Sequence, residues 1–172
     1  MKLELHNLAR IGDEAELASA ISAGLKLNER NKARRTPIWI AARHANVSCI
    51  QILLNAGADC SITDGNGRTC LFAAAAAPSS DSIRLICKIL SPNDPDPYGK
   101  RPLHIAARHG LLQNVCALIE CGADHLIKDK YGSLPLDEAR RGWNSVKGHG
   151  KEDDRIRYQD VITVLSSGLP ID

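Results

Sequence analysis

Apolar residues recur along this chain at positions i, i+3, i+6 and i+7, the spacing of one face of an amphipathic helix. The spacing occurs four times, as Val47, Ile50, Leu53 and Leu54; Ile83, Ile86, Ile89 and Leu90; Leu112, Val115, Leu118 and Ile119; and Tyr158, Val161, Val164 and Leu165. Each stretch predicts a helix that buries one face and exposes the other.

A second pattern shows that these helices belong to repeats. The segment TPIWIAARH at 36–44 returns as RPLHIAARH at 101–109, and each copy runs on to a Gly-Ala-Asp, at 57–59 and 122–124. The two copies are 65 residues apart (36 to 101), which is two periods of about 33. A period of that size indicates stacked repeats rather than a single closed core.

Stepping by this period from Pro37 predicts where the first helix of every repeat begins. The anchor positions are Glu4, Pro37, Cys70, Pro102 and Pro135. Proline suits a helix start because its missing N–H has no partner there in any case. The preceding Thr36 and Thr69 are predicted to be N-cap residues.

Two repeats depart from the common length. The third has extra residues at 77–80, and its exit contains Pro92, Pro95 and Pro97 in place of Gly-Ala-Asp. Because proline lacks an N–H donor, this exit is predicted to be stiff and poorly hydrogen-bonded. The fifth carries a glycine-rich, charged insertion at 142–157.

These starts, the Ala-Ala pair, the Leu-rich second helix and the Gly-Ala-Asp resemble the ankyrin repeat family. The resemblance covers the chain apart from 142–157 and the third exit. It implies a mainly α, helix-turn-helix solenoid with short β-hairpin or loop fingers, forming one domain over 1–172. The expected repeats are approximately 1–33, 34–66, 67–98, 99–131 and 132–172. The first and last would act as caps with polar outer faces, supplied by Asp13, Glu14 and Glu16 at one end and Asp153, Asp154 and Arg155 at the other.

The resemblance also assigns a structural role to two histidines. His6 and His104 match the histidine of the family motif, which bonds to the backbone of neighbouring layers. Trp39, Phe72 and Asp137 occupy the same position in the other repeats. Bonding between layers is therefore expected to differ there.

Composition excludes several functional classes. Aromatic residues make up 3% of the 172, so the core must be built from Ala, Leu, Ile and Val. There is no apolar run of ~20 residues and no signal-peptide pattern, so we expect no membrane span and a cytoplasmic protein, with a nuclear location as the alternative. The six cysteines form no Cys-x-x-Cys or zinc spacing. With no P-loop and no Gly-x-Ser-x-Gly, we expect no enzyme, cofactor, metal or small-molecule substrate; His149 is interpreted as part of a flexible, solvated loop.

The resemblance to ankyrin repeats implies no catalytic activity. It implies protein binding through the finger tips and the exposed side of the first helices. We call the loops that precede the first helices of repeats two to five the first (29–35), second (63–68), third (96–100) and fourth (128–133) finger. The candidate contact residues on the fingers are Arg30, Lys32, Arg35, Arg68, Tyr98, Lys100, Lys128, Lys130 and Tyr131. Those on the first helices or just beyond are Arg10, Arg43, His44, Arg108, His109, Arg141 and Trp143.

This set is basic although the net charge is only +2. Cations gathered on one concave face raise encounter rates with an acidic surface. The sequence thus predicts an adaptor, scaffold or inhibitor, including an immunity-type inhibitor, that is monomeric when free and binds an acidic protein or peptide. Two alternatives stay open. One is that the arginines after each Ala-Ala pair form a solvated face without a binding role. The other is that the chain contacts phosphate in a nucleic-acid-associated complex, which is less expected because its 20 acidic residues repel phosphate.

Overall fold

The computed structural model describes residues 4–146 and 152–167, except for the side chains of 152–154. Within that part of the chain the regular structure is α-helical, so the predicted mainly α fold is confirmed. The first helices of the repeats are α1 (Leu5–Ile11), α3 (Pro37–Arg43), α5 (Cys70–Ala75), α7 (Pro102–Arg108) and α9 (Pro135–Val146). The second helices are α2 (Glu14–Ser22), α4 (Val47–Asn55), α6 (Asp81–Ile86), α8 (Leu112–Glu120) and α10 (Glu152–Ser167).

Four first helices begin at the predicted anchors, Pro37, Cys70, Pro102 and Pro135. The hydroxyl of Thr36 accepts a hydrogen bond from the backbone N–H of Trp39 at 3.4 Å, as expected of an N-cap. Thr69 is the N-cap residue of α5, as predicted, but its side chain makes no capping bond. An N-cap residue alone therefore does not guarantee the bond.

The second helices bury the centres of the predicted stripes, and one stripe residue is exposed. The central pairs Ile50–Leu53 and Val115–Leu118 have no exposed surface, and the stripe of α10 is buried along its length. In the third repeat α6 ends at Ile86, and Ile89 is 57% exposed. The bonds there shorten to i, i+3, with the N–H of Ile89 donating to the carbonyl of Ile86, which turns the chain off the helical stripe.

Residues 1–90 form one compact unit, which contains α1 to α6. In this unit α3 packs between α1 and α5. These three helices carry alanines with no exposed surface, Ala9, Ala41, Ala42, Ala74 and Ala75. Small side chains let the helix axes approach closely, which explains how a chain poor in aromatic residues fills its core.

Residues 91–172 form a second compact unit, which contains α7 to α10. Here α9 packs against α7 and α10, and α10 also contacts α8. The boundary between the units falls at the start of the proline-rich exit. The expectation that all 172 residues form a single domain stays a prediction.

The proline-rich exit is better hydrogen-bonded than its composition predicted. The amide oxygen of Asn93 accepts from the N–H of Asp124 at 2.9 Å, and its amide nitrogen donates to the carbonyl of Gly122 at 2.9 Å. Asn28 makes the first of these bonds in the other unit, to the N–H of Asp59. The Asn93 side chain therefore bonds the exit to the following repeat, and the expectation of a poorly bonded exit is wrong.

The insertion predicted at 142–157 is partly helical, since α9 extends to Val146 and α10 begins at Glu152. His149 and the side chains of Asp153 and Asp154 lie outside the described residues. At the other predicted cap, the carboxylate of Asp13 accepts from the N–H of Glu16 at 3.0 Å and so caps α2. None of the described helices is long and apolar enough to cross a membrane.

Candidate functional site in the fingers and first helices

The four fingers share one backbone design. Each has a side-chain oxygen at its base that accepts two backbone N–H groups of the same finger at 2.9–3.1 Å. The accepting residues are Asn31, Asp64, Asp96 and Asp129, in chain order. Three of the four are carboxylates, and the first finger alone uses a neutral amide.

The fingers also share a left-handed residue three positions after that oxygen. In three of them it is glycine, with φ of 73° at Gly67, 76° at Gly99 and 78° at Gly132. In the first finger it is Arg34, with φ of 59°. Glycine enters this region without steric cost, whereas a side chain with a Cβ does not.

The predicted cations of the first finger divide into two groups. Arg30 donates from Nε to the carbonyl of Arg34 at 3.1 Å and from a terminal nitrogen to the carbonyl of Thr63. The guanidinium of Arg35 lies 4.0 Å from the ring centre of Trp39. Lys32 is exposed and makes no hydrogen bond or ion pair with any residue that the structure describes. Two of the three candidates therefore hold the finger, and one points to solvent.

The remaining candidates of residues 1–90 are mostly exposed. Arg10 donates to the amide oxygen of Asn7 at 2.8 Å, and Arg43 donates to the carbonyl of Ala76 at 3.2 Å. His44 is exposed at the end of α3. The guanidinium of Arg68 lies 5.7 Å from the ring centre of Phe72, repeating the Arg35–Trp39 arrangement one layer on.

In residues 91–172 the predicted cations converge on a carboxylate that the sequence analysis did not select. Glu138, buried on α9, accepts from Lys100 at 2.7 Å and from Arg141 at 2.8 Å through the same oxygen. Its other oxygen lies 3.8 Å from Arg108. Arg141 also donates to the hydroxyl of Ser133 at 2.9 Å. A finger, α7 and α9 thus hold three cations around one anion, leaving an excess of positive charge.

The electrostatics of Glu138 agree with this geometry. Burial raises the pKa of its carboxyl, but the hydrogen bonds and charges of Lys100 and Arg141 outweigh burial and hold the pKa below its ordinary value. The i, i+3 spacing of Glu138 and Arg141 is visible in the sequence. Lys100 and Arg108 come from the preceding repeat, so their approach depends on how the layers stack.

The third and fourth fingers present aromatic side chains to solvent. Tyr98 is 51% exposed and Tyr131 is 73% exposed. The two fingers are joined by a bond from the N–H of Lys130 to the carbonyl of Tyr98 at 3.0 Å. Lys128, Lys130 and His109 are exposed, whereas Trp143 is half-buried. Tyrosine at such positions suits protein contacts because it offers a large rigid surface with a polar tip.

The motif histidines bond as the family resemblance implied. His6 is 2.9 Å from the carbonyl of Arg35, and His104 is 3.1 Å from the carbonyl of Ser133. The other ring nitrogen of His104 accepts from the N–H of Arg101 at 3.2 Å. Trp39 does not replace this bonding, since its buried indole N–H has no hydrogen-bond partner among the described residues.

Acid is expected to destabilise the protein through His104. Burial lowers the pKa of its imidazole, opposed by the bond to Ser133 and by the charges of Asp129 and Glu138. Because the unfolded chain then binds more protons below about pH 6.5, the free energy of unfolding should fall on acidification from about pH 7 to about pH 5. Thermal melting of the His104→Gln variant should show a smaller fall. The exposed control His44→Gln should keep the full loss, and equal losses in the two variants would contradict the assignment.

A cavity of about 450 Å³ lies beside the first finger. Its lining mixes acidic Glu4 and Glu29, basic Lys26 and Arg30, and apolar Leu5 and Leu25. This mixture selects no particular ligand charge. Among the described residues there is no group of His, Cys, Asp or Glu that could hold a metal ion.

Paired helices at a common step, linked by fingers of one design, define a repeat protein whose fingers and first helices carry exposed basic side chains. The chain belongs to the ankyrin-repeat family: the family model described as ankyrin repeats (3 copies) matches residues 5–92 and 45–129. The predicted ankyrin-type helix-turn-helix solenoid is thereby confirmed. Ankyrin repeats are generally modules of protein–protein interaction, and this family suggests a non-catalytic role.

Relatives of very different kinds share these repeats. Human cyclin-dependent kinase 4 inhibitor B is 33% identical over 111 residues, covering 63% of this chain and 80% of the inhibitor. The E3 ubiquitin-protein ligase XB3 of Oryza sativa subsp. japonica is 31% identical over 136 residues, 69% of this chain and 30% of the ligase. The potassium channel GORK of Arabidopsis thaliana is 44% identical over 57 residues, 33% of this chain. The chain spans only 7% of that channel.

Proposed function

We propose that this chain binds an acidic surface or peptide of another protein through the cations of its fingers and first helices, and that it acts as an adaptor, scaffold or inhibitor without catalysis. The excess of cations around Glu138 is the main support, because three basic side chains face one buried carboxylate. An inhibitor is favoured by the similarity to cyclin-dependent kinase 4 inhibitor B, most of whose length the chain matches. A cytoplasmic or nuclear monomer is part of the same proposal.

Glu138 favours binding of a partner because it holds the neighbouring cations Lys100 and Arg141 in place. A flexible lysine or arginine loses side-chain entropy when a partner fixes it. Here the carboxylate already orients Lys100 and Arg141 through bonds of 2.7 and 2.8 Å, so less entropy remains to be lost on binding. The two arginines near Glu138, Arg108 and Arg141, keep about half of their side-chain surface exposed, 44% and 52% respectively. They can therefore reach a carboxylate of the partner.

Reversing two exposed cations, one in each unit, should weaken binding of an acidic probe about tenfold. Arg43→Glu combined with Lys130→Glu is suitable, since Arg43 makes one bond to a backbone carbonyl and Lys130 makes no side-chain bond within the described residues. The measurement is fluorescence anisotropy with a labelled poly-glutamate peptide. Arg108 is left unchanged because a carboxylate there would face Glu138 at close range.

The control is Arg84→Glu with Lys88→Glu, which changes the net charge equally on and just after α6, although Arg84 there loses its contacts with Asp81 and Ser80. It should bind the probe as the wild type does. Equal weakening by both pairs would mean that only net charge matters. Tighter binding to duplex DNA than to poly-glutamate, with a steep dependence of log affinity on log salt, would instead favour direct phosphate contact.

A further inference from the structure

The first finger differs from the other three in charge. Arg30, Lys32, Arg34 and Arg35 lie within six residues, with Glu29 the only acid of the finger. At the base, the neutral Asn31 makes the two backbone bonds for which the other fingers use an aspartate. The other fingers therefore have a carboxylate at their base, whereas the first finger has a neutral amide there.

The first finger also differs in backbone conformation. Arg34 holds φ at 59° where the other fingers have glycine. A left-handed residue with a side chain costs of order 1 kcal/mol or more and persists where the surroundings determine it. The bond from the N–H of Arg34 to the carbonyl of Asn31 at 2.8 Å holds it in this turn. A glycine would make the same turn more cheaply, so the arginine is unfavourable for folding.

The side chains of the finger have separate tasks. Arg30 binds the carbonyls of Arg34 and Thr63, and Arg35 lies over Trp39, so both are held by the fold. Lys32 and Arg34 are exposed, and the described part of the chain offers neither side chain a hydrogen bond or an ion pair. Two cations at the tip are thus available to a ligand, and two beneath them are not.

We propose that the first finger is the principal anchor for the acidic partner, with Lys32 and Arg34 contacting its carboxylates and Arg30 and Arg35 positioning the finger. The inference rests on the proposed function and narrows it to one finger. Arg34 belongs to the basic cluster that the sequence places in this finger, although it was not one of the contact residues selected there. It carries a stability cost at a position that faces solvent, and this cost is explained if the side chain is used in binding.

The test is Arg34→Gly, followed by thermal melting and by anisotropy with labelled poly-glutamate. Removal of the strained side chain should raise the melting temperature, while loss of the cation should weaken probe binding about fivefold, equivalent to ~1 kcal/mol. Arg34→Lys keeps the charge and should retain most of the binding. Lys32→Gln should weaken binding without raising the melting temperature.

Ala45→Gly is the matched control. Ala45 is the other left-handed residue with a side chain in the described chain, with φ of 58°, and lies between α3 and α4 away from the finger. This variant should raise the melting temperature and leave probe binding unchanged. If Arg34→Gly binds poly-glutamate as tightly as the wild type while the Arg43→Glu, Lys130→Glu pair does not, the finger proposal is wrong and the general one stands. If the wild type does not bind the probe at all, both are wrong.

Discussion

Replacing Leu53 or Leu118 with alanine is expected to lower the free energy of unfolding by ~2–5 kcal/mol. Both side chains lie on second helices and have no exposed surface. Truncation removes buried methyl groups and leaves a cavity that thin layers of alanine-rich helices cannot close without shifting a whole helix. Urea denaturation followed by circular dichroism measures the effect. Because Leu53 and Leu118 occupy equivalent positions 65 residues apart (53 to 118), the two losses should be similar.

Leu126→Ala provides the control for these substitutions, since Leu126 is 65% exposed and the chemical change is the same. Its effect should lie within about 0.5 kcal/mol of zero, as for most surface substitutions. A near-silent Leu53→Ala would show that α4 does not bury the face predicted from its apolar spacing. A silent Leu118→Ala would show the same for α8.

Adding a single methyl group at Gly142 is expected to give the second largest loss. A Cβ built on Gly142 would lie 2.4 Å from the carbonyl oxygen of Arg108 and 2.5 Å from a ring carbon of Tyr158. The carbonyl oxygen of Arg108 is a backbone atom of α7, so it cannot move aside unless the helix moves with it. The hydroxyl of Tyr158 donates to that same carbonyl at 2.8 Å, so the clash also disturbs the bond that holds α10. Gly142→Ala should therefore destabilise at the upper end of ~1–3 kcal/mol.

Gly65→Ala is the control for this substitution. A Cβ there has its nearest neighbour at 3.5 Å, an ordinary contact, and the backbone is outside the left-handed region. Thermal melting of the two variants should give a clear loss for Gly142→Ala and little change for Gly65→Ala. An unchanged melting temperature for Gly142→Ala would mean that α10 does not pack on α9 as described.

Much of the fold was predictable because equivalent residues recur at the same position in each repeat, which shows where each helix begins and which face it buries. Pro37, Pro102 and Pro135 mark the helix starts, and the positions 53 and 118 mark the buried faces. The prediction failed at Ile89, where the repeat departs from the common length and the chain leaves the helix. It failed again at the proline-rich exit, where the Asn93 side chain makes two hydrogen bonds to the following repeat.

Only part of the candidate site could be predicted from the sequence. Composition pointed to the basic fingers, and the exposure of Tyr98 and Tyr131 agrees with an available surface. Glu138 was missed because the approach of Lys100 joins residues 38 apart and depends on how consecutive layers stack. Arg34 was visible as part of the basic cluster of the first finger. Its left-handed position was missed, although aligning the fingers places it in register with Gly67, Gly99 and Gly132. Partner binding by any of these residues stays a prediction.

The sequence by itself determined the repeat period, the helix pairs and their buried faces, because these depend on local capping and on the spacing of apolar residues along one helix. Only the tertiary structure decided which cations are held by the fold and which face solvent. Groups within the protein bind or contact the side chains of Arg30, Arg35, Lys100 and Arg141. The side chain of Lys32 is exposed to solvent. The physical reason is that the fate of a charged side chain depends on groups brought close by packing between repeats, and sequence spacing does not specify those distances.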